Sequence, residues 1–223
     1  MALPRRLIES WEELEDRVKK CIMCPLHKNR KNAVLGEGPK NSPVMFIGEA
    51  PGAVEDEMGR PFVGAAGRLL TLTLESAGIR REEVYITNVV KCRPPQNREP
   101  HDEEVERCNI YLESQIWLLK PKIIVTLGNI AGKKIFSMGS RQWEGVMKMR
   151  GKAYRMDILG LQVIVVPTIH PAAALYNPPL REIFANDLRL VKSLLESESL
   201  SAKRVSTGVE KGAKTLIDYI KKS

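Results

Sequence analysis

The 223-residue sequence lacks the long apolar segment that a membrane-spanning helix requires. No run approaches the roughly eighteen to twenty apolar residues that cross a bilayer as a helix. The N-terminal segment, MALPRRLIESWEELEDR, is acidic and amphipathic after its first turn, and it lacks the apolar core of a secretory signal. These absences argue against a membrane or secreted protein, and we expect a cytoplasmic one.

Internal repeats are also absent, and the length suits a single domain with tails. From Glu196 to Gly212 the chain becomes polar and rich in Ser, Lys and Glu, which is the composition of a linker. We predict one domain over residues 1–195, then a linker and tail over residues 196–223, and we expect a monomer. The 35 Lys and Arg outnumber the 27 Asp and Glu, giving a net charge of +8, which favours a polyanionic partner.

Four short apolar runs alternate with amphipathic helical segments along the chain. They cover residues 44–47, 84–87, 123–127 and 163–166. Buried strands that alternate with helices indicate a mainly parallel sheet covered on both faces. We predict an α/β protein, a three-layer α/β/α sandwich with a central four-stranded parallel sheet. Residues 139–161 are mixed in character and predict either extra β structure or a loop over one face.

The segment between the first strand and its helix contains many glycines and carboxylates. It runs from Gly48 to Gly64, and we expect the next helix to begin near Ala65 and to end at Gly78. Loops this long are usually functional or disordered, and open α/β sheets bind ligands at the carboxyl ends of their strands. The turn glycines and Phe62 favour an ordered, functional loop.

Three polar residues lie at or just after the ends of predicted strands: Glu49, Asn88 and His170. These ends meet at one edge of a parallel sheet, so the three side chains and Phe62 would form a polar pocket with an aromatic wall. Such a pocket suits a planar heterocycle. Phe62 would stack on the ring, Asn88 would pair with its edge, and His170 would donate to a carbonyl oxygen. Each residue taken alone also fits a structural role.

The sequence has four cysteines: Cys21, Cys24, Cys92 and Cys108. In an intracellular protein a CxxC pair indicates metal binding or redox chemistry more often than a disulfide. The second pair has a much wider spacing, so two equal zinc knuckles fit poorly. Cys21 follows a helix, whereas a thioredoxin motif follows a strand. Spacing favours a shared metal site, leaving cluster and zinc open, with four unrelated buried thiols as the alternative.

Several motifs, in order, resemble those of the family 4 uracil-DNA glycosylases, the Fe–S-containing branch of that superfamily in bacteria and archaea. They are GEAPG at 48–52, RPFVG at 60–64, TNVVKCRPP at 87–95 and HPAA at 170–173. The resemblance extends from Cys21 to about Leu190. It implies an α/β/α fold, and a 4Fe–4S cluster bound by Cys21, Cys24, Cys92 and Cys108. It also implies hydrolysis of the bond between uracil and deoxyribose, which leaves an abasic site in DNA.

The resemblance implies a function in base excision repair and a role for each pocket residue. Those expected to bind uracil are Gly48, Glu49, Ala50, Phe62, Asn88 and His170. The enzyme must flip the nucleotide out, because the bond is unreachable inside the stack. Phe62 would stack on uracil, Asn88 would bond to its edge, and His170 would stabilise negative charge that grows on O2. Glu49 and Asn88 favour selectivity for uracil.

A catalytic Asp occupies the position of Ala50 in the best-known uracil glycosylases. Its absence here leaves Glu49 as the candidate for positioning the attacking water, with Glu55 as the second candidate. A third alternative needs no strong base, because positioned water readily attacks a developed sugar cation. The predicted catalytic set is therefore Glu49, Glu55, Asn88 and His170.

Uracil-containing DNA, double- or single-stranded, is the expected partner. Phosphate contacts from basic loops would hold it. The candidates are Lys91, Arg93, Arg98 and Arg181. The superfamily places a wedge that fills the vacated stack after the position of His170, where Leu175 is our first candidate and Tyr176 the second.

The C-terminal tail resembles a box that binds a sliding clamp, with Leu216, Tyr219 and Ile220 as contact residues. Ala213 stands where that box usually has Gln, and Ile220 where it usually has an aromatic residue. A short amphipathic helix that docks on its own domain is the alternative. For the whole chain, the rival hypothesis is a non-enzymatic Fe–S protein that binds nucleic acid or transfers electrons.

Overall fold

The computed structural model describes the chain over residues 7–208, and its side chains as far as residue 198. Its helices are α1 (Trp11–Lys19), α2 (Ala53–Met58), α3 (Ala65–Ser76), α4 (Asp102–Leu119), α5 (Asn129–Met138), α6 (Val146–Met149), α7 (Pro171–Tyr176) and α8 (Pro179–Gly208). Its strands are β1 (Val44–Gly48), β2 (Tyr85–Asn88), β3 (Ile123–Leu127), β4 (Tyr154–Ile158) and β5 (Leu161–Thr168). No helix in this part of the chain is both long and apolar enough to cross a membrane.

The strands form one sheet in the order β2-β1-β3-β5-β4. β1 pairs in parallel with β2 and with β3, and β3 pairs in parallel with β5. β4 pairs with β5 in the antiparallel direction. The α/β/α sandwich and its four parallel strands are confirmed, but the sheet has five strands and not four.

The fifth strand comes from the segment that sequence patterns left open between β structure and loop. Leu159 and Gly160 alone connect β4 to β5, and their φ angles are 56° and 79°. A two-residue loop with positive φ at both positions matches the twist of the paired strands, which makes a tight hairpin. The pairing of Ile158 with Leu161 sets its register.

The parallel strands carry apolar side chains on both faces. Along β1, Met45 and Ile47 pack into one hydrophobic cluster with α1, α4 and α5, whereas Val44 and Phe46 pack into another with α3 and α8. All five residues of β1 are buried. Burial on both faces explains why the strand is a continuous apolar run instead of an alternating one.

The segment expected to be a loop after β1 contains the short helix α2. Gly59, with a φ of 68°, ends it in the left-handed conformation. The one buried side chain of α2 is Asp56, which accepts hydrogen bonds from the Lys31 backbone at 3.0 and 3.1 Å. Because its inward residue is a carboxylate, α2 has no apolar periodicity by which the sequence could reveal it.

The last helix, α8, continues to Gly208, beyond residue 195 where the predicted domain ended. The first part of the predicted linker is therefore helical. The predicted clamp-binding residues Leu216, Tyr219 and Ile220 lie outside the described residues.

Candidate active site

A pocket of about 490 Å³ opens at the carboxyl edge of the sheet, where β1, β2 and β5 end. Glu49, Asn88 and His170 line it, each at or just after a strand end, and Phe62 lines it as well. The structure thus brings together the residues that strand-end positions had selected. Gly48 lies directly beneath Phe62, and Ala50 lines the pocket too.

Two glycines allow the Phe62 ring to lie against the end of β1. A Cβ atom at Gly48 would lie 2.5 Å from Phe62 Cζ and 2.4 Å from Asn88 Oδ1. At Gly67, in the first turn of α3, it would lie 1.8 Å from the Phe62 carbonyl oxygen. Phe62 itself has a φ of 51°. Backbone strain of this kind clusters at ligand sites, and here it sets an aromatic wall beside an amide.

Asn88 presents an unpartnered acceptor at the pocket. The residue is 1% exposed, and its Oδ1 has no hydrogen-bond partner among the described residues. Leaving such a group unpaired in the interior is costly, so orphaned polar atoms are rare in native proteins. An incoming N–H donor would satisfy this oxygen.

His170 lies at the start of α7, where its Nδ1 accepts a hydrogen bond from Ala172 N at 3.2 Å. Burial lowers the pKa of His170 to about 4, although Glu55 acts in the opposite direction. The imidazole is therefore neutral at pH 7, and its proton is on Nε2 because Nδ1 accepts. Its ring lies 5.7 Å from that of Phe62, centroid to centroid. A neutral N–H donor beside an aromatic wall can hold a carbonyl oxygen of a flat ligand.

The two candidate carboxylates, Glu49 and Glu55, differ in what holds them. Glu55 Oε1 accepts hydrogen bonds from Val63 N at 3.0 Å and Gly64 N at 2.8 Å, so it anchors the start of α3. Burial, and then the like charge of Glu99, raise the pKa of Glu49 to about 7. A carboxyl group that titrates near neutrality suits a general base. Glu49 therefore remains the first candidate for activating water.

The pocket rim includes residues that sequence reasoning did not assign to it. Pro94 and Asn97 line the side that follows β2, and Val54 lines the side formed by α2. Asn97 and its neighbour Gln96 have φ angles of 56° and 53°. A signal was present in the sequence, because the turn-forming PPQN segment at 94–97 lies in the loop that follows β2 at the ligand-binding edge.

The predicted DNA contacts at α7 lie at the pocket. Leu175 and Tyr176 both line it, and Tyr176 is 85% exposed. Arg181 is exposed nearby, with its Nε donating to the Ala174 carbonyl at 3.2 Å. These positions suit side chains that meet DNA around a flipped nucleotide.

The arginines after β2 differ in their freedom to move. Arg93 is partly exposed and donates to Asn97 Oδ1 at 2.8 Å. Arg98 lines the pocket and forms two hydrogen bonds with the buried carboxylate of Glu104, at 2.8 and 2.9 Å. Arg93 is therefore the better placed of the two for a phosphate.

The prediction that Lys91 binds DNA phosphates is wrong. Lys91 is 1% exposed, and its Nζ donates to Thr87 Oγ1, the Asn88 carbonyl oxygen and Gln115 Oε1. The side chain turns back toward the end of β2 and α4, away from solvent. The composition of a basic segment predicts that its lysines are exposed, but the fold places Lys91 in the interior.

The chain matches a known family over most of its length. The model of the uracil DNA glycosylase superfamily matches residues 35–191. The chain belongs to the uracil DNA glycosylase superfamily. Three curated relatives, each named Type-4 uracil-DNA glycosylase, are similar to this member. The protein of Saccharolobus solfataricus is 48% identical over 87% of the chain and 90% of the relative. That of Pyrobaculum aerophilum is 53% identical over 80% and 91%, and that of Thermotoga maritima 46% over 85% and 97%.

In this superfamily member all four cysteines line one small cavity beside the sheet. Cys92 and Cys108 are buried, and Cys21 and Cys24 are half-buried. Over residues 7–198, no three His, Cys, Asp or Glu side chains converge closely enough to hold a single metal ion. A cluster of several irons holds its thiolates around a larger centre than one zinc ion does. The four cysteines that line this one cavity are compatible with such a cluster.

Donors already point at these sulfurs. Arg30 Nη1 donates to Cys92 Sγ at 3.0 Å, and Lys91 N donates to Cys108 Sγ at 3.3 Å. Burial raises the pKa of the Cys92 thiol and raises that of Cys108 to about 12. Buried thiols of this kind become thiolates when a cationic centre compensates their charge.

Proposed function

We propose that the protein is a DNA-repair glycosylase that removes uracil by hydrolysing its N-glycosidic bond. One observation carries the proposal: a single pocket combines the Phe62 ring, the unpartnered Asn88 Oδ1 and the neutral His170 imidazole. Relatives 46% to 53% identical to the chain are named uracil-DNA glycosylases, which supports the substrate.

Each pocket group matches an atom of uracil. Phe62 stacks on the ring. Asn88 Oδ1 accepts a hydrogen bond from N3–H of the base, which gives this oxygen the partner that it lacks within the protein. The backbone around Gly48 and Ala50 lies on the O2 side of the base. His170 donates its Nε2 proton to O2.

Cleavage moves an electron pair from the sugar–base bond onto uracil. The base becomes an anion with charge on O2, and the sugar becomes an oxocarbenium-like cation. His170 Nε2–H stabilises this developing charge, an interaction that strengthens in the transition state. Water then adds to C1′ of the sugar, and ionised Glu49 positions it and accepts its proton. Glu55 holds the loop that carries Phe62.

DNA reaches this pocket as a flipped nucleotide. Unstacking costs a few kcal/mol, least for mismatched or single-stranded uracil, so both kinds of DNA are expected substrates. Leu175 is the proposed wedge and Tyr176 its neighbour at the rim, while Arg93 and Arg181 are the proposed phosphate contacts. We propose that the protein acts as a monomer in the cytoplasm, with residues 1–195 as the catalytic domain. A tail that binds a sliding clamp remains part of the proposal.

The proposed cofactor is a 4Fe–4S cluster on Cys21, Cys24, Cys92 and Cys108. Support comes from the shared cavity, the all-sulfur donor set and the N–H donors of Arg30 and Lys91 that face two of the sulfurs. When bound, the cluster supplies a cross-link among the segment after α1, the turn after β2 and α4. In this way the four cysteines would hold the loops beside the pocket in place.

The test is release of uracil from an oligonucleotide with one uracil, followed by alkali to cleave the abasic site. Strand scission is expected with uracil and absent with thymine at the same position. His170→Ala should lower turnover far more than DNA binding, because His170 acts on charge that develops only during cleavage. A protein with intact cluster absorbance that binds DNA but yields no scission would support the non-enzymatic rival instead.

A further inference from the structure

A fully buried lysine lies between the pocket and the cysteine cavity. Lys91 Nζ lies 2.8 Å from Thr87 Oγ1, 2.5 Å from the Asn88 carbonyl oxygen and 2.6 Å from Gln115 Oε1. An ammonium group has three donors, and these three acceptors use all of them. None of the three is a carboxylate, so neutral oxygens hold the charge.

The acceptors are themselves held by further hydrogen bonds. Thr87 Oγ1 donates to the Leu35 carbonyl at 2.6 Å. Gln115 Nε2 donates to the same carbonyl at 2.8 Å and to Tyr85 Oη at 2.9 Å. In a low-dielectric interior such bonds strengthen one another, and a fully satisfied polar network is rigid. The position of Lys91 Nζ is therefore defined from α4, β2 and the segment before β1.

The same residue spans the turn that joins the two sites. Lys91 N donates to Cys108 Sγ, and Cys92 follows it in the cysteine cavity. Its side chain bends back to the carbonyl of Asn88, whose own side chain lines the pocket. Lys91 thus connects the pocket residue Asn88 with the cysteine cavity, through its side chain at one end and its backbone at the other.

We propose that Lys91 is a positioning residue for uracil recognition, which holds the Asn88 peptide so that its side-chain amide meets the edge of the base. This inference rests on the proposed function. The Asn88 amide is joined to its peptide by few rotatable bonds, so a shift of the peptide displaces Oδ1 from the N3–H of the base. Lys91 touches neither base nor sugar and acts only through Asn88.

A double-mutant cycle tests the proposal with Lys91→Met, which keeps the length of the side chain and removes its donors. In the otherwise unchanged protein, kcat/KM for uracil in DNA should fall about tenfold or more, because a misplacement of about 1 Å can cost 10²-fold. In an Asn88→Ala background, where no amide is left to position, the same change should alter kcat/KM less than about twofold. Additive losses would overturn the proposal, since a general structural role lowers activity equally in both backgrounds.

Two folding checks, a second variant and a matched control accompany the cycle. Cluster absorbance and the unfolding midpoint establish that Lys91→Met is folded. Should it fail to fold, Thr87→Val removes one acceptor of the ammonium and keeps the cation, and the same non-additivity with Asn88→Ala is expected. The matched control is Lys134→Met on α5, a lysine with a 10% exposed side chain that pairs with Glu106. Its kcat/KM should stay unchanged.

The outcomes separate this inference from the proposed function. If the protein without substitutions releases no uracil, the proposed function is wrong, and so is any positioning role of Lys91. If the protein is active but the losses from Lys91→Met and Asn88→Ala are additive, only the proposed role of Lys91 is wrong.

Discussion

At the scale of single residues, burial favours the neutral forms of His170 and Glu49 in the pocket. It lowers the pKa of His170 to about 4 and raises that of Glu49 to about 7. At neutral pH the histidine is uncharged and the carboxyl group is partly ionised. The pocket can therefore receive an uncharged base and still supply an N–H donor and a proton acceptor for cleavage.

Glu49 predicts the pH dependence of uracil release. The ionised form must accept the proton of water, so kcat/KM should rise with pH up to about 7 and then level off. Glu49→Gln should abolish this rise and lower the rate by about 10²- to 10⁴-fold, the usual contribution of a general base. Single-turnover rates on a uracil oligonucleotide across the pH range measure both effects.

Glu99→Gln is the matched control for that profile. The charge of Glu99 raises the pKa of Glu49, so its removal should shift the rising limb to lower pH and leave the plateau rate unchanged. A limb that persists in Glu49→Gln would assign the base to another group, with Glu55 the next candidate.

At the scale of secondary-structure elements, the aromatic wall depends on contacts between α2 and α3. Glu55, on α2, holds the backbone at Val63 and Gly64, just before α3 begins. Gly67 in the first turn of α3 leaves room for the Phe62 carbonyl. Two helices and the end of β1 therefore decide where one ring lies, which a single motif could not.

The hairpin between β4 and β5 makes a prediction about stability. Gly160 has a φ of 79°, and a Cβ atom there would meet nothing within 4 Å. Gly160→Val therefore tests the backbone alone, and it should lower the free energy of unfolding by about 1–2 kcal/mol, the cost of the left-handed region. Urea unfolding measures the change.

Gly160→Asn serves as the control, because Asn tolerates the left-handed conformation. It should be nearly neutral. Equal losses for Val and Asn would contradict a purely conformational cost at this position.

At the scale of the whole molecule, the net charge of +8 predicts that salt weakens DNA binding. Each phosphate contact contributes about 0.9 to the slope of log affinity against log salt. Arg181→Ala should reduce that slope by about one. Arg155→Ala, at a residue on β4 whose side chain is 80% exposed, should leave it unchanged. Fluorescence titration of a labelled oligonucleotide measures the slopes, and equal slopes for all three proteins would remove Arg181 from the interface.

The cysteine cavity predicts a second property of the whole molecule. A cluster there would cross-link segments far apart in the chain, so Cys24→Ser should lose iron and stability. A disulfide that closes a long loop contributes about 2–4 kcal/mol, and we expect a loss of similar size. Iron analysis, visible absorbance and thermal unfolding check the loss. The control is His27→Ala, because His27 lines the same cavity but is not a proposed ligand. This variant should keep its iron, and loss of iron from it would contradict the all-cysteine ligand set.

Much of the pocket was predictable because its residues follow strand ends. Apolar runs marked four strands, and parallel pairing brought Glu49, Asn88 and His170 to one edge. Lys91, in the same motif as Asn88, was misjudged because its burial depends on Gln115 of α4, an acceptor of its ammonium, and on Leu35 before β1, whose carbonyl holds Gln115 and Thr87 in place. Those partners are distant in sequence and leave no local pattern.

The sequence by itself determined the layers of the fold, the family, the strand-end residues and the four cysteines, because periodicity and motifs are local properties of the chain. Only the tertiary structure decided the fifth strand and the anchoring role of Glu55. It also decided that His170 is neutral, that Glu49 titrates near neutrality and that Lys91 is buried. These features depend on desolvation and on hydrogen-bond partners, which exist only after distant segments have packed together.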